Sequence, residues 1–442
     1  MAATAIPGPG RAAHRDGNVL RWLAAYTASL LGDSVYFVAL GFAAARTAPP
    51  AQVGLVMAVG AVPRAVLMLG GGVIADRFGP RRVVIGSDAV RCLLILSAAA
   101  ALALTSPGLW LLVAVALAFG VVDALFMPAV GALPPRLVAP DQLVRLQGMR
   151  ALAVRCGDIA GPPLGGLAMG LGGATSAFAL AGGLFAVSVP LLVATRIARL
   201  PAATDGVAAP GPRPGPRTTA WAELRDGLRY IRRHELVGPL VLSGAVCELG
   251  VAGPLNVGMV LLTRDRGWGA AGYGWIVGAF GAGAAASALL LTVRGRLPRA
   301  GAVQVATLFA GSAGVGAIAL AHALAVAVAV ALLTGLICGI CGGLSFALVQ
   351  SATEPGYLGR VTSVMSLTGF GLAPLAYPLF GAAVAARGPA PVFLAAAAFG
   401  SLGGVIGLAT PAVRTARLPR PHPVPAAASP AGDRPRPERA AI

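Results

Sequence analysis

Apolar residues run along this chain in long unbroken stretches, with neither the single-face stripe of a surface helix nor the alternation of a strand. A helix needs about 20 mostly apolar residues to cross a hydrocarbon core of roughly 30 Å. Stretches of that length fall at 19–45, 51–75, 83–104, 108–133, 146–171 and 174–196. A second set falls at 236–263, 271–293, 301–321, 324–350, 361–386 and 390–412. Period-2 alternation is rare, and an aromatic content of 6% is too low for a membrane barrel. The pattern predicts an all-α integral membrane protein with twelve transmembrane helices.

Polar and Pro-rich segments divide these stretches six and six. Residues 1–18 and 413–442 are rich in Pro, Ala and Arg and are expected to be disordered tails. Between bundles at 19–196 and 236–412 lies a segment at 197–235, whose first part carries Pro210, Pro212, Pro214 and Pro216 and reads as a flexible linker. In its second part Trp221, Leu224, Leu228 and Ile231 recur at helical spacing, with Arg225, Arg229, Arg232 and Arg233 on the remaining faces. This predicts an interfacial helix, its apolar side among headgroups and its basic side toward anionic lipid. A calmodulin-type target is the rival reading. The halves also echo each other: Gly161-Pro-Pro-Leu-Gly-Gly166 has a counterpart in Ala373-Pro-Leu-Ala-Tyr-Pro-Leu-Phe-Gly381. Two repeated six-helix bundles with a site between them is a transporter architecture.

Composition narrows the class. Of the 442 residues 57% are apolar and 11% charged, against about 25% charged in soluble domains. The net charge of +18 raises nucleic acid as a partner, but its placement argues for a membrane instead. Arg77, Arg81, Arg82, Arg136, Arg145, Arg294, Arg296, Arg299 and Arg360 gather in every second loop, while the alternate loops are nearly bare. Basic residues mark the cytoplasmic side, so both termini are expected in the cytoplasm of a bacterial cell, with the first span an uncleaved helix. All 34 basic residues are Arg. A Walker A phosphate loop requires Lys, so ATP-driven transport by this chain alone is excluded.

Two motifs stand out. After the second span the chain reads Gly72-Val-Ile-Ala-Asp76-Arg77-Phe-Gly79-Pro-Arg81-Arg82. Gly79 allows a tight turn, Gly72 allows close helix packing, and the arginines suit a lipid surface. The fifth span carries Gly148, Gly157, Gly161, Pro162, Gly165 and Gly166. Gly157 and Gly161 form a G-x3-G face for a close neighbour, and Pro162 bends the helix. An ordinary basic hairpin loop and a generic Gly-rich face are the bland alternatives.

With these motifs the chain resembles the major facilitator superfamily over residues 18 to 412. The first motif resembles its cytoplasmic loop signature between helices 2 and 3, and the second the helix 5 signature of its drug:proton antiporters. Phe126-Met-Pro-Ala129, Gly359-Arg-Val361 and the central basic helix resemble the macrolide-efflux-like and siderophore-export-like branch. The resemblance implies that Asp76 and Arg77 lock the outward-facing state. It also implies that the helix 5 glycines and Pro162 form an interface that rocks between states. In one departure, the fourth span has Asp123 and no Arg, where antiporters commonly place one linked to proton coupling.

Charges inside spans cost about 2.5–3.5 kcal/mol on insertion scales, so they are usually paired or functional. Asp33, Arg64, Asp123, Arg155, Asp158 and Glu248 lie within the apolar runs. Arg155 and Asp158, at i and i+3, read as a structural ion pair. Asp33 and Glu248, one in each half, read as proton or cationic-substrate sites, with Arg64 as partner of Asp33 and Asp123 as a further member of the substrate and proton site. A static Asp33–Arg64 pair is the alternative. Asp88 and Arg91 read as structural residues flanking the membrane surface. The five cysteines, Cys338 and Cys341 included, and the four histidines form no metal or redox pattern, and no catalytic constellation or cofactor motif is visible.

The reading is a proton-coupled carrier, expected to act as a monomer, that exports amphipathic small molecules (drugs or secondary metabolites) by alternating access. The rivals are a dedicated exporter of a siderophore or other natural product and, more distantly, a non-transporting receptor or membrane enzyme on the same scaffold.

Overall fold

The computed structural model describes residues 13–105, 108–196, 220–294, 299–354 and 356–418; the side chains of residues 68–73, 75, 76, 140, 220–224, 366 and 370 fall outside the description. Its helices are α1 (Gly17–Thr47), α2 (Pro50–Phe78), α3 (Pro80–Leu104), α4 (Leu109–Gly131), α5 (143–171) and α6 (174–194). There follow α7 (Ala220–Arg233), α8 (Val237–Asp265), α9 (Gly269–Arg294), α10 (Ala300–Leu320), α11 (Leu324–Ala352), α12 (Leu358–Arg387) and α13 (Pro389–Ala409). No strand occurs among the described residues. Helices are the natural outcome for apolar runs of this length, because each satisfies its backbone polar groups internally.

Helix α5 runs directly into α6, and the break between them is purely conformational. Gly172 (φ −151°, ψ 21°) and Gly173 (φ 68°, ψ −154°) leave the helical region and split a continuous 52-residue stretch into two spans. Leaving α7 aside, twelve helices of the described residues are thus long and apolar enough to cross a membrane. Prolines open several of them: Pro50, Pro80 and Pro389 stand at helix starts, where their missing N–H costs nothing.

Small residues set how closely the helices approach, as expected where lipid supplies no hydrophobic drive for association. On α5, a Cβ built on Gly157 would lie 3.1 Å from Leu30 Cβ, one on Gly161 would collide with Ser34, and one on Gly165 would lie 2.9 Å from Val38 Cβ. The four-residue steps of both helices therefore match along one face. Gly148 has nothing within 4 Å. These contacts lie inside the first six spans (the N-half), so Gly157, Gly161 and Gly165 are not on an interface between halves. A helix with one smooth glycine face can only present it to one neighbour, and α1 occupies it.

Other positions of the same helix do meet the last six spans (the C-half). A Cβ built on Gly274 of α9 would lie 2.7 Å from the Pro162 carbonyl oxygen, one on Gly281 would lie 2.8 Å from that of Asp158, and one on Gly166 would collide with that of Ala270. A second seam joins α2 to α12, where a Cβ built on Gly381 would lie 2.6 Å from the Pro50 carbonyl oxygen and one on Gly54 would collide with that of Tyr377. Arg264 closes this end further by donating to the Ala45 carbonyl.

The apolar cores show the same asymmetry between the two ends of the bundle. One large core includes Val35, Phe42, Phe178, Val260, Tyr273 and Phe393 and spans both halves. At the opposite end, where the described chain begins and ends, the cores are separate. Trp22, Phe126 and Leu146 belong to a core of the N-half alone, and Val237, Leu348 and Val361 to one of the C-half alone.

Two expectations about segments change. The chain after the last span does not leave the protein at 413. Val413 is fully buried, and the Gly301 N–H donates to the Ala416 carbonyl at 3.1 Å, because a further apolar turn (Pro411–Thr415) covers the start of α10. Helix α7 forms, yet Ile231 is buried in the C-half core instead of facing headgroups. Trp221 and Leu224 side chains, the linker at 197–219, Arg296 and the terminal segments 1–12 and 419–442 lie outside the described residues.

Candidate functional site

The polar centre of the N-half is built on α3. Asp88 and Arg91, one turn apart, are both fully buried. They are not flanking residues: Arg91 is the hub of an ionic network. Its Nη1 lies 3.3 Å from Asp88 Oδ1 and 3.5 Å from Asp33 Oδ1, and its Nη2 donates to Asp123 Oδ1. Asp123 is shared, since its Oδ2 stands 3.1 Å from Arg64 Nε. Asp88 also accepts hydrogen bonds from Ser29 Oγ at 3.0 Å and Ser188 Oγ at 2.6 Å. Helices α1, α2, α3, α4 and α6 each contribute a member.

Aromatic rings complete the setting. The Arg91 guanidinium carbon is 4.0 Å from the centre of the Phe126 ring and 5.2 Å from that of Phe119, within the range of a cation–π contact. Tyr36 stacks on Phe119 at 3.9 Å. Removing five charged groups from water costs several kcal/mol per ion, and only close pairing with further hydrogen bonds offsets it. Asp33 is the loosest member. Its Oδ1 makes no hydrogen bond, and its side chain keeps 18% of its exposure while Asp88 and Arg91 have none. Three carboxylates face two guanidiniums, so the fully ionised network carries one uncompensated negative charge.

The expected Asp33–Arg64 pair is therefore replaced by two others, Asp33–Arg91 and Arg64–Asp123. Spacing along single helices could not decide this, because α3 supplies the competing cation. The signal was present: Asp88 lies eight residues into α3, about 12 Å at 1.5 Å per residue, well past a surface position.

The network opens on the boundary between the halves. A cavity of about 240 Å³ is lined by Arg64 and Asp123 from the N-half and by Glu248 and Tyr377 from the C-half, with Tyr36 and Phe119 on its wall. Among the described residues Glu248 makes no ion pair or hydrogen bond. A second cavity of about 370 Å³ is lined by Arg155, Asp158, Pro162, Tyr273 and Phe280. Phe37 and Asn256 belong to both cavities. Arg155 and Asp158 do form a pair, at 3.0 Å, but its side chains are 43% and 48% exposed and face this second cavity.

Asn256 was not anticipated from sequence. It sits in a π-helical turn, Pro254–Gly258, in the middle of α8, and its Nδ2 donates to the Ala252 carbonyl at 3.0 Å. A single wide turn inside an α-helix frequently marks a functional site. Pro254, which removes a backbone donor within the span, was the available clue.

The loop motif lies far from these cavities. Gly79 adopts φ +84° between α2 and α3 with nothing near its α-hydrogens, a conformation that glycine alone takes easily. Arg81 Nη2 donates to the Val193 carbonyl at 2.7 Å, tying the loop to the end of α6. Arg77 and Arg82 are exposed. The side chains of Gly72 and Asp76 lie outside the described residues.

Comparison with known proteins decides the family. The profile of the Major Facilitator Superfamily matches residues 22–369, well over half of the chain. The chain belongs to the Major Facilitator Superfamily. It is a multi-pass membrane transporter for small molecules. Similar proteins include the enterobactin exporter EntS of Shigella boydii serotype 18 and that of Escherichia coli O139:H28. Each is 26% identical over 314 residues, covering 71% of this transporter and 72% of the relative. Among solved structures, the nucleoside transporter NupG superposes with a TM-score of 0.69 at 12% identity, covering 88% of this chain and 99% of that one. A bacterial homologue of the lysosomal transporter Spinster, inward-facing and occupied, gives a TM-score of 0.67 at 14% identity, covering 90% and 97%. At such identities these two likenesses speak for the fold alone.

Proposed function

We propose that this transporter is a proton-coupled exporter of amphipathic small molecules. The observation that carries the proposal is the uncompensated charge of the Asp33–Arg91–Asp88–Asp123–Arg64 network beside a cavity shared by both halves. Arginine stays charged at any working pH, so the balance can be restored only at a carboxylate or by a cationic group of the cargo. Asp33, partly exposed and held by a single long ion contact, is the member best placed to take up a proton, while Asp123 and Arg64 are the members that line the cavity. Glu248 supplies a second, unpaired carboxylate from the other half. Protonation or cargo binding then biases the two halves only as far as it favours one arrangement over the other.

The basic loops lie at the end of the bundle where the described chain begins and ends, which supports placing that end in the cytoplasm of a bacterial cell. With that orientation, the shared core lies on the outer side and the separate cores on the inner side, an arrangement that opens the cavities inward to receive cargo.

A second reading has its own support. Arg64 stands among Tyr36, Phe119 and Tyr377, a setting that suits an anionic aromatic cargo, and the relatives at 26% identity are enterobactin exporters. Export of a siderophore-like natural product is the form of the proposal that this observation favours.

The test is flux in proteoliposomes with an imposed proton gradient, using cationic dyes, macrolides and catecholate siderophores, for wild type, Asp33→Asn and Glu248→Gln. Gradient-driven flux abolished in Asp33→Asn supports the coupling assignment. Gradient-driven flux that persists undiminished in both variants sinks it.

A further inference from the structure

A strongly basic surface lies outside the transport cavities. Arg225, Arg229, Arg232 and Arg233 are exposed on α7 and line a groove of about 480 Å³ with Leu228. Spacings of four, three and one place them along one side of the helix. Asp226 stands beside them, its Oδ1 a loose 3.9 Å from Arg229 Nη1. The helix ends four residues before α8 enters its span, so the row lies at the level of lipid headgroups.

Unlike a floating amphipathic helix, α7 is fixed to the C-half, and mainly to one element. Tyr230 stacks on Tyr357 with ring centres 4.3 Å apart and planes 12° apart. The Glu354 N–H donates to the Tyr230 hydroxyl at 3.2 Å. A Cβ on Gly227 would lie 3.0 Å from Arg360 Cβ, and Arg360 in turn stands over the Tyr357 ring at 5.3 Å. All these partners lie at or just before the start of α12. That same helix, after an interruption at Leu372, carries Tyr377 into the smaller cavity and Gly381 into the seam with α2.

We propose that the arginine row of α7 docks on the phosphates of anionic phospholipids, and that the Tyr230–Tyr357 stack passes this docking on to α12. Guanidinium groups match phosphate oxygens in a planar, bidentate manner, and each basic residue near an anionic leaflet strengthens attachment. A lipid that draws α7 toward the headgroups therefore pulls on the start of α12, the helix that lines the cavity and seals the halves. The inference concerns a surface remote from the cargo site and does not depend on what the cargo is.

The experiment uses the full-length protein in vesicles of phosphatidylcholine, with and without one third phosphatidylglycerol. Two readouts are taken: phosphatidylglycerol retained through purification, and amide exchange over residues 357–371. Wild type is expected to retain phosphatidylglycerol over phosphatidylcholine and to exchange more slowly over 357–371 when it is present. Each arginine contributes roughly fivefold to attachment, so Arg229→Gln/Arg232→Gln/Arg233→Gln is expected to lower retention by about a hundredfold and to abolish the slowing. High salt should weaken retention in wild type. Tyr230→Ala is expected to keep the lipid and lose the slowing, and Tyr230→Phe, which keeps the ring, to preserve most of it. Undiminished retention in the triple variant overturns the docking site. Slowing that survives in Tyr230→Ala overturns the route to α12, and slowing produced by inorganic phosphate alone overturns the lipid as its source.

Discussion

The two halves repeat one helical plan but treat charge in opposite ways. The N-half gathers five ionisable groups, three of them buried, in one network that ties five helices together around Arg91. The C-half places the lone carboxylate of Glu248 at the cavity wall, with a π-helical turn and Asn256 two turns further along the same helix. Buried ion pairs are weak net stabilisers, yet each member depends on the others, since removing one strands its partner. Arg91, Asp88 and Asp123 are thus bound to the fold, while Asp33 at the loose edge of the network and Glu248 can change state without unpacking it.

This contrast is sharpest where the hub is removed. Arg91→Met is expected to cost about 3–5 kcal/mol and to deplete folded protein, because three carboxylates lose their common cation. Thermal melting in detergent reads the loss; a melting temperature like that of wild type would break the contrast. Gly161→Leu should follow, destabilising by about 1–3 kcal/mol through overpacking against Ser34, while Gly148→Ala leaves the melting temperature unchanged. Asp33→Asn should keep the fold, because it removes the uncompensated charge and leaves Arg91 paired with Asp88 and Asp123; proton-driven flux is the quantity expected to fall. Glu248→Gln should shift stability by no more than about 0.5 kcal/mol, with its effect confined to transport. A large loss of folded protein in Glu248→Gln would show that the C-half uses its acid structurally after all.

The difference also explains which parts of the site were readable. Asp33, Arg64, Asp123 and Glu248 announce themselves as charges inside apolar runs, since the penalty for placing them there is a property of the local sequence. Their partners do not. Arg64 has an acid on α1 and another on α4 within the same half, and only the packing of α3 between them gives Arg91 to Asp33 and makes Arg64 share Asp123 with Arg91. The glycines of α5 behave alike: their spacing reveals a smooth face, but the helix that occupies it is set by how six helices close on one another.

Sequence alone determined that the chain crosses a membrane twelve times, that it splits six and six, and that its basic loops fall at one end. These properties follow from the length of apolar runs and the cost of moving charge or unpaired backbone into lipid, and both act residue by residue. Tertiary structure alone decided the pairing inside the N-half, the facing of Arg155 and Asp158 onto a cavity, and the anchoring of α7 on α12. Each of these joins residues tens to hundreds of positions apart or sets which way a side chain faces. Several partners of suitable charge or shape compete for each contact, and only the closure of the bundle selects one.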